Sequence, residues 1–232
     1  MNVYIGTRGE LKNAYIGEYK GYTPWSNTVA YYPLTSSSTI QDKSWNNKTL
    51  TNVWNVAFWT YAWVNCAYFN GTSNSQLYNT SISFSAYPTQ TVLVWMYITW
   101  TSSSVYQTIY HIWTTAKTGK LGSWFKYWTW LCIGSWYWWY ESIKSWNING
   151  SWHLLVNVTN WTSSTQYLDW VLYQSLTNSL SDTQTWLYIW WAQQNTSERL
   201  SWYESELIVE NRAWIATEVS NYYNLTKSNY WL

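Results

Sequence analysis

The residues best placed to do chemistry are three glutamates near the C-terminal end, Glu204, Glu206 and Glu210, in the run LSWYESELIVENRAW. Hydrolysis of a glycosidic bond needs two carboxyl groups on one face, one as acid and one as nucleophile or base. Along Glu204–Val209, Ser205, Leu207 and Val209 share one side, while Glu204, Glu206 and Ile208 share the other. That period of two predicts a strand. Glu210 stands four positions beyond Glu206 and no aspartate intervenes. The pattern therefore reads as glutamates on a solvated strand face rather than a hydrolytic pair.

Other chemistry is sparse. His111 and His153 have no neighbouring residues at ligand spacing, so a zinc site is not expected. A hard cation wants 6–8 oxygen ligands, and the chain has only three aspartates, none clustered. Asp42 and Asp169 fall in loop or turn positions and are expected to form turns, with Ca2+ binding as their weaker alternative. No Ser-His-Asp order, glycine-rich phosphate loop or Cys/His cluster is visible. Cys66 and Cys132 both lie in apolar strand-like runs, which suits two buried thiols and leaves one bridge between them open. Tyr137 and Tyr140, interleaved with Trp136, Trp138 and Trp139, would form an aromatic platform able to stack on sugar C–H faces.

These groups need a scaffold, and 232 residues are enough for one antiparallel sandwich with a proper core. Charged residues are 10 % of the chain and the net charge is +1, which excludes the basic footprint of nucleic-acid binding. The longest apolar run, Val92–Ile98, is far short of a membrane span. The N-terminal residues show no basic start before an apolar stretch, so no secretory signal is expected in this chain. In residues 1–25, Tyr4-Ile5-Gly6 echoes Tyr15-Ile16-Gly17 and Pro24 closes the stretch. An attachment arm is expected there, with an edge hairpin as the alternative, and the sandwich should occupy 26–232.

Within the body, Thr91–Ile98 sets Val92, Val94, Met96 and Ile98 on one side and Leu93, Trp95 and Tyr97 on the other. Both faces are apolar, so the strand should lie centrally in its sheet. Trp152, Leu154, Val156 and Val158 alternate inward in a second clear strand. Residues 167–173 read as two strands joined at Asp169-Trp170. In all, ten to thirteen short strands are expected, with turns at sandwich spacing. One short helix is expected near Thr217–Asn224, with Thr217 as its cap.

The order Y-P-L, D-x-S-x-N-N, F-N-G, then W-H-L-L-V-N-V-T, then a last strand running into Asn211-Arg212-Ala213 and a short helix, resembles laminin G-like, concanavalin A-like jelly-roll domains. The likeness spans roughly Val29 to Asn224. It implies an all-β, two-sheet antiparallel jelly-roll sandwich with a short C-terminal helix. It also implies that Asn211 and Arg212 fix the strand-to-helix corner. The glucanases of this fold carry E-x-D-x-x-E or E-x-D-x-E on one strand, and neither form is met here. Ser205 stands where the resembled domains carry Asp, and Ile215 where Ser or Thr would cap the helix.

One count is abnormal, 24 tryptophans against 9 glycines, where average usage predicts about 16 glycines. A two-residue hairpin loop wants glycine after Asp, yet Trp170 follows Asp169. An indole there would cost roughly 1–2 kcal/mol of left-handed strain. Trp45, Trp190 and Trp202 also stand where the resembled domains carry glycine. Ser123-Trp124, residues 144–147 and Asn160-Trp161 are turn-like contexts with no glycine. Trp95, Trp152 and Trp214 instead suit apolar positions. The reading is that many of these tryptophans are UGA-encoded glycines of a bacterial or phage source, translated with a code in which UGA means tryptophan.

The resemblance implies a non-catalytic recognition module for a glycan or cell-surface protein, in an extracellular, cell-surface or virion-surface assembly. A structural spacer docking through residues 1–25 is the alternative, and a glycoside hydrolase the third. No cofactor is implied.

Overall fold

The structure, a computed structural model, describes residues 22–53, 56–70, 75–84, 89–101, 106–113, 121–126, 130–135, 140–145, 150–161, 163–177, 186–189 and 200–232. The chain folds as two antiparallel sheets and one short C-terminal helix. The strands are β1 Thr28–Tyr32, β2 Thr51–Val53, β3 Ala57–Tyr61, β4 Val64–Asn70, β5 Gln76–Asn79, β6 Thr89–Thr101, β7 Tyr106–Trp113 and β8 Leu121–Lys126. They continue as β9 Trp130–Ser135, β10 Tyr140–Ser145, β11 Trp152–Asn160, β12 Ser163–Leu168, β13 Val171–Thr177, β14 Trp186–Ile189 and β15 Leu200–Glu210. Fifteen strands among the described residues exceed the ten to thirteen expected, because short edge pieces such as β2 carry too few residues to show a period. Residues Ser123 and Trp124, expected in a turn, lie inside β8.

One sheet runs β13-β12-β11-β6-β15-β4-β3, with β1 also pairing to β15. The other runs β10-β9-β8-β7-β14-β5-β2. β6 sits centrally between β11 and β15, as its two apolar faces require. Val92, Val94, Met96 and Ile98 join Leu77, Ile109, Ile112, Leu187 and Ile189 of the facing sheet in the inter-sheet core.

A second core covers the outer face of the β6 sheet. There Leu93 and Trp95 of β6 meet Leu154, Val156 and Val158 of β11, and the C-terminal helix lies across them. Trp152, Leu154, Val156 and Val158 thus face outward from the sandwich, beneath the helix, and not into the space between the sheets. Alternation shows that they share a side but not which side, since both sides of β11 are buried. Helix α1, Ala216–Thr226, buries Val219, Tyr222 and Thr226 on one stripe, the three- and four-residue spacing of an amphipathic helix. Thr217 is not its cap. Ile215 holds the N-cap position, and the Glu218 carboxylate accepts the Ile215 N–H at 2.9 Å. The same carboxylate accepts from Arg212 Nη1 at 2.7 and 2.8 Å.

Tyr22 is buried in the outer core and Trp25 packs against it. The rest of the expected arm, 1–21, lies outside the described residues.

Candidate functional site

Aromatic side chains from five strands meet on the outer face of the β6 sheet. Register sets Trp152 of β11 opposite Tyr97 of β6, Tyr97 opposite Tyr203 of β15, and Tyr203 opposite Tyr68 of β4. Directly opposed side chains on neighbouring strands are close enough to pack. Trp152 meets Tyr97 edge-on at 5.7 Å between ring centroids. Tyr203 stacks on Tyr68 at 4.8 Å. Tyr61 of β3 lies flat over Tyr203 at 3.9 Å and 12° and meets Tyr97 edge-on at 4.9 Å. Trp59 tilts against Tyr68 at 5.3 Å.

The row has a closed end and an open end. At the closed end Tyr230, from a 3-10 turn at Lys227–Tyr230, stacks on Trp95 at 3.9 Å and touches Trp152 at 5.3 Å. At the open end Tyr61, Tyr68 and Tyr97 are half-buried and Trp59 is exposed. Burial, and then the neighbouring phenols of Tyr68 and Tyr61, push the Tyr203 phenol up to about 12. Burial and the Tyr61 hydroxyl raise Tyr97 as well. Near neutral pH both therefore present neutral hydroxyls beside ring faces, a pairing suited to an amphipathic ligand.

The three glutamates do not share a solvated face. β15 carries a register shift between Glu204 and Glu206, and the extra residue of such a bulge reverses the alternation after it. Glu204 lies on the inter-sheet side with Trp202, whose indole N–H donates to it at 3.1 Å. Ser205 bonds Tyr230 at 2.6 Å, and Glu206 accepts from Tyr222 at 2.5 Å, both on the outer side. Every one of the three carboxylates is fully buried. With Glu204 and Glu206 on opposite faces of the sheet, the pair cannot flank one glycosidic bond, as two-carboxylate hydrolysis requires. Burial holds the Glu204 carboxyl well above its ordinary range.

Ser151, His153 and Asp169 do come into line, although sequence reading sees no such order. Ser151 Oγ lies 2.7 Å from His153 Nε2, and His153 Nδ1 lies 2.6 Å from Asp169 Oδ2. The same connectivity activates serine nucleophiles elsewhere. Its acidic end also bonds the backbone of β11. Asp169 Oδ1 accepts the Leu154 N–H at 2.9 Å, and the Asp169 N–H donates to the Leu154 carbonyl at 2.9 Å. The neighbouring Gly150 N–H is bound to the Ile98 carbonyl at 3.1 Å, so it is not aimed at an oxyanion. The line ties the β12–β13 turn to β11. A signal existed, a histidine one residue into a strand and an aspartate at a turn, but their 16-residue separation hid it.

Asp42 is saturated in the same way. Its Oδ1 accepts the Tyr31 and Ser44 N–H groups at 2.9 and 2.8 Å. Its Oδ2 accepts Ser44 Oγ at 2.7 Å and the Lys48 N–H at 2.8 Å. A carboxylate with four donors has no lone pair left for a cation. Among the described residues, no group of three or more His, Cys, Asp or Glu is placed to hold a metal. Millimolar Ca2+ or EDTA is therefore expected to move the Tm by less than about 1 °C. A cation held at 100 times its Kd would add about 2.7 kcal/mol, which is several degrees for a chain of this size. A rise of that size with Ca2+ would overturn the assignment.

Arg212 sits at the corner between β15 and α1, its Nε 3.0 Å from Glu210 Oε2, its guanidinium over the rings of Trp25 and Trp214. The Asn211 N–H donates to the Asn27 carbonyl at 3.0 Å. Cys66 is free and buried on the outer face of its sheet, turned away from the sheet that carries Cys132. Burial pushes its thiol up to about 12. Tyr137, Trp136, Trp138, Trp139 and Trp190 lie outside the described residues, and of Tyr140 only its place at the start of β10 is described. The tyrosine row was missed in the sequence because its members lie on strands up to 142 positions apart, Tyr61 to Tyr203.

No protein-family model matches the chain, and no curated protein matches it. Solved structures do. The binding domain of Paraclostridial Mosquitocidal Protein 1 superposes with a TM-score of 0.68 at 15 % identity, over 85 % of this chain and 52 % of that one. The Botulinum Neurotoxin serotype G binding domain gives 0.68 at 14 %, over 87 % and 52 %. A botulinum neurotoxin type C structure, described by cell entry dependent upon interaction with two ganglioside molecules, gives 0.66 at 12 %, over 85 % and 51 %. The chain spans about half the length of each, and at these identities the likeness is one of fold: this chain is an antiparallel β-sandwich built like part of those toxin binding domains.

Proposed function

We propose that this chain is a non-catalytic recognition module of laminin G-like, concanavalin A-like type, which binds a glycan through the tyrosine row. Its setting in this reading is an extracellular, cell-surface or virion-surface protein, and its partner a glycan or the glycan of a surface protein. The observation that carries the reading is Tyr61, laid flat over Tyr203 and half open to solvent, with Tyr68, Tyr97 and Trp59 around it. A pyranose ring offers a C–H face to such a platform and hydroxyls to the phenols. The likeness of fold to the structure of botulinum neurotoxin type C, whose cell entry is dependent upon interaction with two ganglioside molecules, and to a binding domain in complex with rat synaptotagmin II supports a surface-recognition role. No described helix is long and apolar enough to cross a membrane.

A glycan array with the purified domain tests this directly. The parent chain should retain at least one glycan class, and Tyr61→Ala should lower its affinity about 10- to 30-fold, the loss typical of a central aromatic anchor. The variant should still unfold cooperatively in urea. Retention of no glycan would overturn the reading in favour of a structural spacer. Unchanged affinity in Tyr61→Ala would move the site off the row.

A further inference from the structure

Eight described residues other than glycine have positive φ, and four of them are tryptophans: Trp63 (66°), Trp161 (56°), Trp170 (70°) and Trp231 (60°). Left-handed backbone crowds any Cβ, and among side chains it is tolerated chiefly by Asn and Asp. A bulky aromatic is among the poorest candidates for it. Yet no Tyr or Phe is found there among the described residues.

The local geometry at each site is one that glycine makes. Ala62-Trp63, at φ 44° and 66°, is the two-residue loop joining β3 to β4, and Asp169-Trp170, at 49° and 70°, joins β12 to β13. Both are type I′ loops, whose second residue is most often glycine. Trp161 opens the short connection from β11 to β12. Trp231 is the left-handed residue closing the final 3-10 turn at φ 60° and ψ 34°, the position where a helix end takes glycine.

The four side chains are 83, 65, 50 and 74 % exposed in the same order, so little packing offsets the strain. Trp95, Trp152, Trp202 and Trp214 are the opposite case, at most 5 % exposed and seated in the two cores or against them. Two sites named from the sequence do not share the signature. Trp202 is a buried strand residue, and at the 45–47 turn the left-handed residue is Asn47, not Trp45.

We infer that positions 63, 161, 170 and 231 are glycines in the protein as its source organism makes it, specified by UGA, while the buried tryptophans are genuine and specified by UGG. The backbone separates the two classes without reference to any ligand, so the inference stands apart from the proposed glycan site. It also removes four exposed indoles, while Trp59, beside the tyrosine row, and Trp45 stay exposed.

Peptide mass spectrometry of the protein isolated from its source, read beside the gene, decides the matter. Glycine masses with UGA at 63, 161, 170 and 231, and tryptophan masses with UGG at 95 and 152, are expected. Tryptophan masses at all six positions would overturn it. A second arm needs only the recombinant chain. The variant W63G/W161G/W170G/W231G should melt higher than the chain as written, by roughly 2–4 °C for each strained site relieved, whereas W95G and W152G should each melt far lower. A lower Tm in the fourfold variant would equally overturn the inference.

Discussion

Glu210→Ala is expected to cost about 3–5 kcal/mol of folding stability, read from the urea midpoint at unchanged slope. The Glu210 carboxylate is fully buried at the end of β15. It accepts from Trp25 Nε1 at 2.6 Å, from Trp214 Nε1 at 2.5 Å and from the Tyr22 hydroxyl, and Arg212 Nε stands 3.0 Å away. Removing it leaves Arg212, 20 % exposed, with Glu218 as its remaining carboxylate partner and takes the shared acceptor from buried Tyr22 and Trp214 and half-buried Trp25, and breaking a buried charged network from one side is costly. The loss should also loosen the segment before β1 and the entry to α1, because Tyr22 and Trp25 precede β1 and Trp214 leads into α1. Glu210→Gln keeps one acceptor oxygen and should fall between the two. A loss under about 1 kcal/mol in Glu210→Ala would show that the cluster is not the tie between residues 22–25, the corner at Arg212 and the sheet.

The second large effect lies with Glu204 and runs with pH. Burial raises its carboxyl well above the 4.5 it has when free. The folded chain therefore keeps a proton that the unfolded chain releases above pH 4.5. Stability from this group is complete below that pH and declines as pH rises toward the folded value, with a slope of up to about 1.4 kcal/mol per pH unit. Glu204→Gln removes the ionisation and keeps an oxygen for the Trp202 indole N–H. The variant should be more stable than the parent between about pH 6 and pH 8, converging with it near pH 4.5, in line with the desolvation cost of a lone buried charge. Parallel pH profiles for the two proteins would mean that Glu204 stays ionised in the fold.

Both effects come from β15, and that strand also shows where sequence reading stops. Its period of two is evident in Glu204–Val209, and strand type followed correctly. The bulge after Glu204 was not legible, because one extra residue leaves the composition unchanged while turning every later side chain over. Hence Glu204 and Glu206, placed together by alternation, lie on opposite sides of the sheet. The same limit applies to β11, whose two faces are both buried and whose side toward the helix is chosen by packing alone.

The amino-acid sequence by itself determined the local matters: the central place of β6 from its two apolar faces, the β12–β13 hairpin at Asp169-Trp170, the single short helix, and the all-β class. These depend on neighbours within a few residues, where periodicity and turn chemistry act. Only the tertiary structure decided the tyrosine row, the Ser151–His153–Asp169 line and the burial of all three glutamates. Each is assembled by register between strands far apart in the chain or by a bulge within one, and cross-strand register is a property of the closed sheet rather than of any stretch of residues.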